Sequence, residues 1–321
     1  MHQPLSRRRF LSAAASAASV FAFGSGFRRC FALAADQTAS KLPFTLGFSL
    51  YGMKTLPIDE ALRTCAEIGY RDVEPALLPG YDTEPKRVSA ARRKEIRSLA
   101  DGLGLRIPCL MENIRPAVDD KAQAENFEKI ARAAELAHAW KPADPAPAII
   151  ETVLGGKPEE WSKFRAPLLD GLGKWADAAK KHDVVIAIKA HVSGAMHTPD
   201  DTLGVVRELN SPHIKAAYDF SHFQRQGMDL EKSLRTLAPE TVFVHVKDNR
   251  ETAGKFDFVL PGEGDIDYVR YFRILKELKY AGSVTVEVSS AVHQKPGYDP
   301  KAAARKSFQS LHAAYVKAAA G

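Results

Sequence analysis

The chain has 321 residues, 45% of them hydrophobic, and a formal charge of +6. Arg7, Arg8, Arg9, Arg28 and Arg29 lie in residues 1–34, which hold no acid, and without those five the charge is +1. A body of this length fits one α/β barrel or two smaller domains, and its near-neutral charge gives no argument for nucleic acid or anionic membrane as a partner.

The N-terminus reads SRRRFL at residues 6–11, then small and apolar residues, then Ala32-Leu33-Ala34 ahead of Ala35-Asp36. A basic start, an apolar stretch and a small-residue cleavage site make a secretory signal. The paired arginines with Phe10 and Leu11 resemble a twin-arginine export signal. Residues 1–34 are therefore expected to be a signal cut after Ala34, with the twin-arginine (Tat) translocase as partner and a short linker at 35–42. The protein is then periplasmic or otherwise exported. The apolar run is short and broken by Ser and Gly, which argues against an uncut membrane anchor. Of three cysteines, Cys30 lies in the signal, while Cys65 and Cys109 sit in apolar patterns and suit small core residues. A disulfide between them stays open without special support.

From residue 43 onward, short apolar runs alternate with longer amphipathic ones. Strands are expected at 43–52, 70–77, 105–114, 147–156, 184–191, 214–222, 241–250 and 282–290. Pro108 implies irregular pairing in the third. Helices are expected at 56–70, 85–103, 121–139, 158–182, 198–209, 229–238, 265–278 and 300–319. Thr198 and Pro199 mark the start of the fifth. Eight such units in roughly 280 residues predict a (β/α)8 TIM barrel as one domain over 43–321. No GxGxxG follows a strand, which argues against a doubly wound dinucleotide fold.

In such barrels the chemistry gathers at the C-terminal ends of the strands. Those ends carry Tyr51 and Lys54, Glu74, Glu112 and Asn113, Glu151, Lys189 and His191, Asp219 and His222, His245, Lys247 and Asp248, and Glu287, with Arg250 just beyond. Each has a plain structural alternative: Glu74 as a salt-bridge partner, Glu112 and Asn113 as a helix cap, His191 and His197 as solvated loop residues, His245 as a packed histidine. Joint placement at successive strand ends lifts the set above those alternatives. Carboxylates converging on one barrel mouth need a cation among them. That cation is either a metal or Lys189, whose ammonium ends the apolar run Ile186-Ala187-Ile188.

GYRDVE on the second strand, YDFSH on the sixth, HVKD on the seventh, LPGEGDID at 260–267 and TVEVS on the eighth resemble the xylose-isomerase-like barrel superfamily. The resemblance covers the chain after residue 43. It implies a sugar isomerase or epimerase, with one divalent metal (Mn, Mg or Zn) held by Glu, Asp, His and Glu on strands five to eight. Asp219, His245 and Glu287 match three of those ligands. His222 matches a substrate-contacting histidine, and Arg250 resembles a substrate-contacting arginine. The fourth ligand position holds Lys189, and a protonated lysine cannot ligate a metal.

Three resolutions stand. Glu151 can serve as the fourth ligand, Lys189 can replace the metal outright, or a lysine of lowered pKa can act as base or form a Schiff base. The first is favoured slightly, since three ligands and an open position still make a catalytic site. The expected function is an exported isomerase or epimerase of a free sugar, polyol or keto-sugar, acting by proton abstraction next to a carbonyl. Glu151, Lys189, Glu287 and His222 would be catalytic, and Glu74, Glu112, His191, Lys247 and Arg250 would touch substrate. The loop at 249–264 is expected to cover it. A non-catalytic sugar-binding barrel, or a lyase or hydrolase on oxidised (3-keto) glycosides, is the alternative. The superfamily's endonuclease-four branch, with three zinc ions on nucleic acid, fits neither the charge nor the export signal.

Overall fold

A computed structural model describes residues 42–116, 119–141 and 146–321. The signal and nearly all of the linker expected at the N-terminus lie outside these residues. Each short apolar run forms a strand: β1 Thr45–Ser49, β2 Asp72–Glu74, β3 Cys109–Met111, β4 Ala148–Val153, β5 Val184–Lys189, β6 Ile214–Asp219 and β7 Thr241–Val246. A hairpin of β8 Asp248–Thr252 and β9 Lys255–Val259 comes next, and β10 Ser283–Val286 is the eighth barrel strand. The barrel strands are all parallel, in the order β2-β1-β10-β7-β6-β5-β4-β3. Only isolated bridges, Asp72 with Arg106 and Ala76 with Met111, join β2 to β3 and bring the barrel almost to closure. Pro108 falls between those bridges and has no N–H to give a ladder, so the expected irregularity is where the barrel is weakest.

The amphipathic runs form the outer helices α1 Ile58–Ile68, α2 Ala90–Gly102, α3 Asp120–Trp140, α4 Trp161–Lys181 and α5 Pro199–Leu209, then α6 Phe220–Gln224, α7 Leu230–Leu237, α8 Tyr268–Glu277, α9 Ser290–His293 and α10 Pro300–Ala320. Local chemistry sets their ends. Thr198 accepts the Asp201 N–H at 3.1 Å and Pro199 opens α5, satisfying N–H groups that the helix leaves unpaired. Gly69, at φ +114°, ends α1 in a conformation that costs a side chain dearly. Among the described residues no helix is long and apolar enough to cross a membrane. Cys65 and Cys109 are buried free thiols, so the disulfide left open by the sequence is absent.

Two expectations change. The sixth strand ends at Asp219 and His222 lies on α6, because the Asp219 carboxylate accepts the Ser221 N–H and starts a helix there. The seventh strand ends at Val246, and residues 249–264, expected as a loop, contain most of an antiparallel hairpin.

Candidate active site

Alternation along parallel strands stacks inward side chains in layers. One layer is apolar: Cys109, Ile149, Ala187, Ala217 and Phe243 pack together. Two residues further along the same strands stand Met111, Glu151, Lys189, Asp219 and His245. Glu74 and Glu287 join them from β2 and from just past β10. The period of two that fills the barrel thus delivers its charges to the C-terminal mouth, all of them buried.

The charges pair closely. Lys189 Nζ lies 2.9 Å from Glu151 Oε1, 2.8 Å from Glu287 Oε2 and 2.9 Å from His245 Nδ1. Lys247 Nζ donates to Asp219 Oδ2 at 2.7 Å and to Glu287 Oε2 at 2.9 Å. His245 Nε2 meets Glu74 Oε2 at 2.8 Å, and its Nδ1 lies 3.1 Å from Glu287 Oε2. Burial alone would lower the basicity of Lys189, but Glu151, Glu287 and Asp219 outweigh it and hold the ammonium charged. Burial works the same way on His245, where Glu74 and the Glu287 hydrogen bond win and push its pKa up to about 9. The two glutamates on Lys189 diverge. Burial raises Glu151 despite Lys189 and His245. At Glu287 burial acts the same way, yet Lys189 and Lys247 prevail and hold it well below the usual carboxylate range.

Above this floor opens a cavity of about 150 Å³ whose walls include Tyr51, Glu151, His191, His222, Lys247 and Glu287. Ligand pockets commonly span roughly 300–1,000 Å³, so this one suits a small polar molecule. His222 is fully buried, yet neither ring nitrogen has a hydrogen-bond partner among the described residues. Burial, with Lys247 and His191, keeps it neutral. His191 lies against it, ring centroids 4.1 Å apart and planes tilted by 46°, and burial with Lys247 and Lys189 lowers its pKa to about 4. Glu151 Oε1 sits at ion-pair distance from Lys189 but out of hydrogen-bond alignment. A wider cavity of about 410 Å³ opens at the other end of the barrel, where no carboxylate or imidazole is among its described walls.

Glu74, Glu151, Lys189, Asp219, His245, Lys247 and Glu287 therefore form one network, with His191 and His222 facing it. Glu112 and Arg250 do not join it. Glu112 is buried beside the mouth, where its Oε1 accepts the Asn113 N–H at 2.8 Å. Burial raises its pKa to about 7. Arg250 is exposed on β8 and donates to the Glu263 carbonyl, because the hairpin carries it away from the strand-7 axis. Sequence reasoning gave no role to Phe258, which lies over both His222 and Lys247. An apolar residue in a stretch read as loop gave no signal of that.

By type and spacing, Asp219, His245 and Glu287, and also Glu74, Glu151 and His245, can hold a metal ion. The charges around them do not fit one. Each donor atom of the first set already lies within 3 Å of a lysine ammonium. A divalent ion on those atoms would stand near two ammonium groups. Unit charges 4 Å apart repel by about 4 kcal/mol at an effective dielectric of about 20, and a dication doubles that for each lysine.

The profile of the xylose isomerase-like TIM barrel family matches residues 62–314. The L-ribulose-5-phosphate 3-epimerase UlaE of Salmonella paratyphi A is 26% identical over 258 residues, covering 76% of this chain and 87% of that protein. Among solved structures, a xylose isomerase-like TIM barrel protein from Mycobacterium smegmatis in complex with magnesium has a TM-score of 0.65 at 16% identity, over 87% of this chain and 98% of that one. The 3-keto-D-glucoside 4-epimerase YcjR from E. coli has a TM-score of 0.65 at 17% identity, over 84% and 99%.

Proposed function

The chain belongs to the xylose isomerase-like TIM barrel family, and from that premise we propose that it is an exported isomerase or epimerase of a free sugar, polyol or keto-sugar. The observation that carries this reading is His222, a buried imidazole on the wall of a small cavity at the barrel mouth, whose ring nitrogens make no hydrogen bond among the described residues, Nε2 lying 3.5 Å from Asp219 Oδ2. Each buried polar atom left unpaired costs about 1–3 kcal/mol, which hydroxyl groups of a bound sugar would offset. Similarity to epimerases that act on sugars supports the class. The SRRRFL start supports export, and export favours an unphosphorylated substrate over a sugar phosphate.

Glu151 is the base. Burial makes its carboxylate more basic than usual, and it faces the cavity; Glu287 is held as an anion by two lysines. Two carboxylates driven apart in this way divide the acid–base work. Glu151 takes the proton from the carbon beside the carbonyl, and the electron pair of that C–H bond moves to make an enediolate. Addition of a proton from solvent to the other face of the same carbon gives the epimer, Glu151 releasing its own proton to solvent; return of the Glu151 proton to the neighbouring carbon gives the isomer. His222, being neutral, can donate to one hydroxyl and accept from another. If the intermediate instead expelled a β-substituent, the same step would make the enzyme a lyase on 3-keto glycosides.

The test is a panel of aldoses, ketoses, inositols and 3-keto glycosides, with products separated and identified. Wild type should interconvert at least one member. Glu151→Gln should lower kcat about 10²–10⁴-fold, the usual range for a general base, while leaving KM within severalfold. Aglycone release alone would move the assignment to the lyase. No turnover by wild type across the panel would favour a sugar-binding barrel.

A further inference from the structure

Lys189 and Lys247 are not equivalent. Lys189 Nζ is enclosed by the protein, 2.9 Å from Glu151 Oε1, 2.8 Å from Glu287 Oε2 and 2.9 Å from His245 Nδ1. Lys247 faces only Asp219 and Glu287, so one N–H has no partner among the described residues. That residue is buried, lines the cavity and has the Phe258 ring 5.5 Å away. An ammonium has no acceptor capacity, so whatever meets the third N–H must offer a lone pair. The same two lysines contact every atom of the Asp219, His245 and Glu287 set that would bind a metal.

We propose that Lys189 and Lys247 together take the place of a divalent cation, and that the third N–H of Lys247 receives the substrate's carbonyl oxygen as it becomes an enediolate oxygen. Lys189 is a positioning residue: it neutralises Glu151 and Glu287 and fixes their oxygens. Lys247 is the catalytic residue of the pair, since a preorganised charged donor stabilises the oxyanion where it forms. The ligand class is a compact oxygen anion or carbonyl compound bound without metal. The proposal rests on the mouth being a sugar site, but its test needs no turnover, so it can fail separately from that reading.

The full chain is purified without chelator and its metal content measured. It is then titrated calorimetrically with oxalate, whose adjacent oxygens resemble an enediolate, in the presence of EDTA. The expected result is far less than one metal per chain and oxalate binding that EDTA leaves unchanged. Lys247→Met should weaken oxalate about 10- to 100-fold, in keeping with one lost hydrogen bond to a charged group. Lys189→Met should mainly lower Tm. Near-stoichiometric metal in wild type, which needs no variant to detect, overturns the proposal. So does oxalate binding that is absent in EDTA and restored by Mn²⁺. Undiminished oxalate affinity in a folded Lys247→Met chain, checked by circular dichroism, overturns the role given to Lys247.

Discussion

An ammonium 2% exposed at the end of an apolar strand costs several kcal/mol unless close partners repay the lost water. Lys189 survives there because the carboxylates of Glu151 and Glu287 lie within 2.9 Å of it. The sequence showed that it ends an apolar strand and displaces an expected glutamate. It did not show that Lys247 would engage the same Glu287, although His245 and Lys247 are two apart and so share a face. The contact of Glu74 with His245 joins residues 171 positions apart, beyond any local pattern. Glu112 gives a residue-scale prediction, because it is buried without a hydrogen-bonded cation. Its folded pKa of about 7 exceeds the value near 4.3 of an unfolded chain, so the folded state binds the proton more tightly. Stability is then fully present below the unfolded value and lost as pH rises through about 7. Glu112→Gln should therefore raise Tm by several degrees at pH 8 and by nearly nothing at pH 4. Tm measured against pH for both proteins checks this, and a uniform shift would refute it.

The hairpin is the element that sequence reasoning missed. Thr252 pairs with Lys255 across a two-residue turn in which Ala253 and Gly254 both have positive φ, 52° and 75°. Asn-Gly is the usual signature of such a turn. Alanine at its first position hid the signal, and the charged residues of β8 hid the strand. Beyond the hairpin, Asp248 organises the return. Its carboxylate accepts the N–H groups of Asn249, Gly262 and Ile266 at 2.9, 3.0 and 3.2 Å. Gly264 is required beside it, since a Cβ there would collide with the Asn249 carbonyl and the Asp248 carboxylate. Asp248→Ala should speed amide hydrogen exchange across residues 249–266 by at least tenfold while α1 to α5 exchange as in wild type. Because Phe258 of this hairpin lies over His222 and Lys247, affinity for oxalate should fall as well. Unchanged exchange in the segment would show that Asp248 does not anchor it.

At the scale of the molecule, the eight-unit barrel was legible because every unit repeats the same local contrast. A short, largely apolar run is followed by a helix with one apolar face, and parallel pairing buries the first under the second. The C-terminal location of the site followed from that architecture. The pairing of charges within it did not, because the six strand ends that carry them meet only when the barrel curls round. The proposal for this mouth is proton transfer on a carbonyl sugar with lysine charge in place of a metal. The decisive experiment turns over the substrate found in the panel in D₂O with excess EDTA and follows the carbon-bound hydrogen by NMR. Deuterium should wash in at the carbon next to the carbonyl, at a rate unaffected by chelator and lost in Glu151→Gln. Turnover without wash-in at that carbon, or wash-in that stops in EDTA and returns with Mn²⁺, would contradict the proposal.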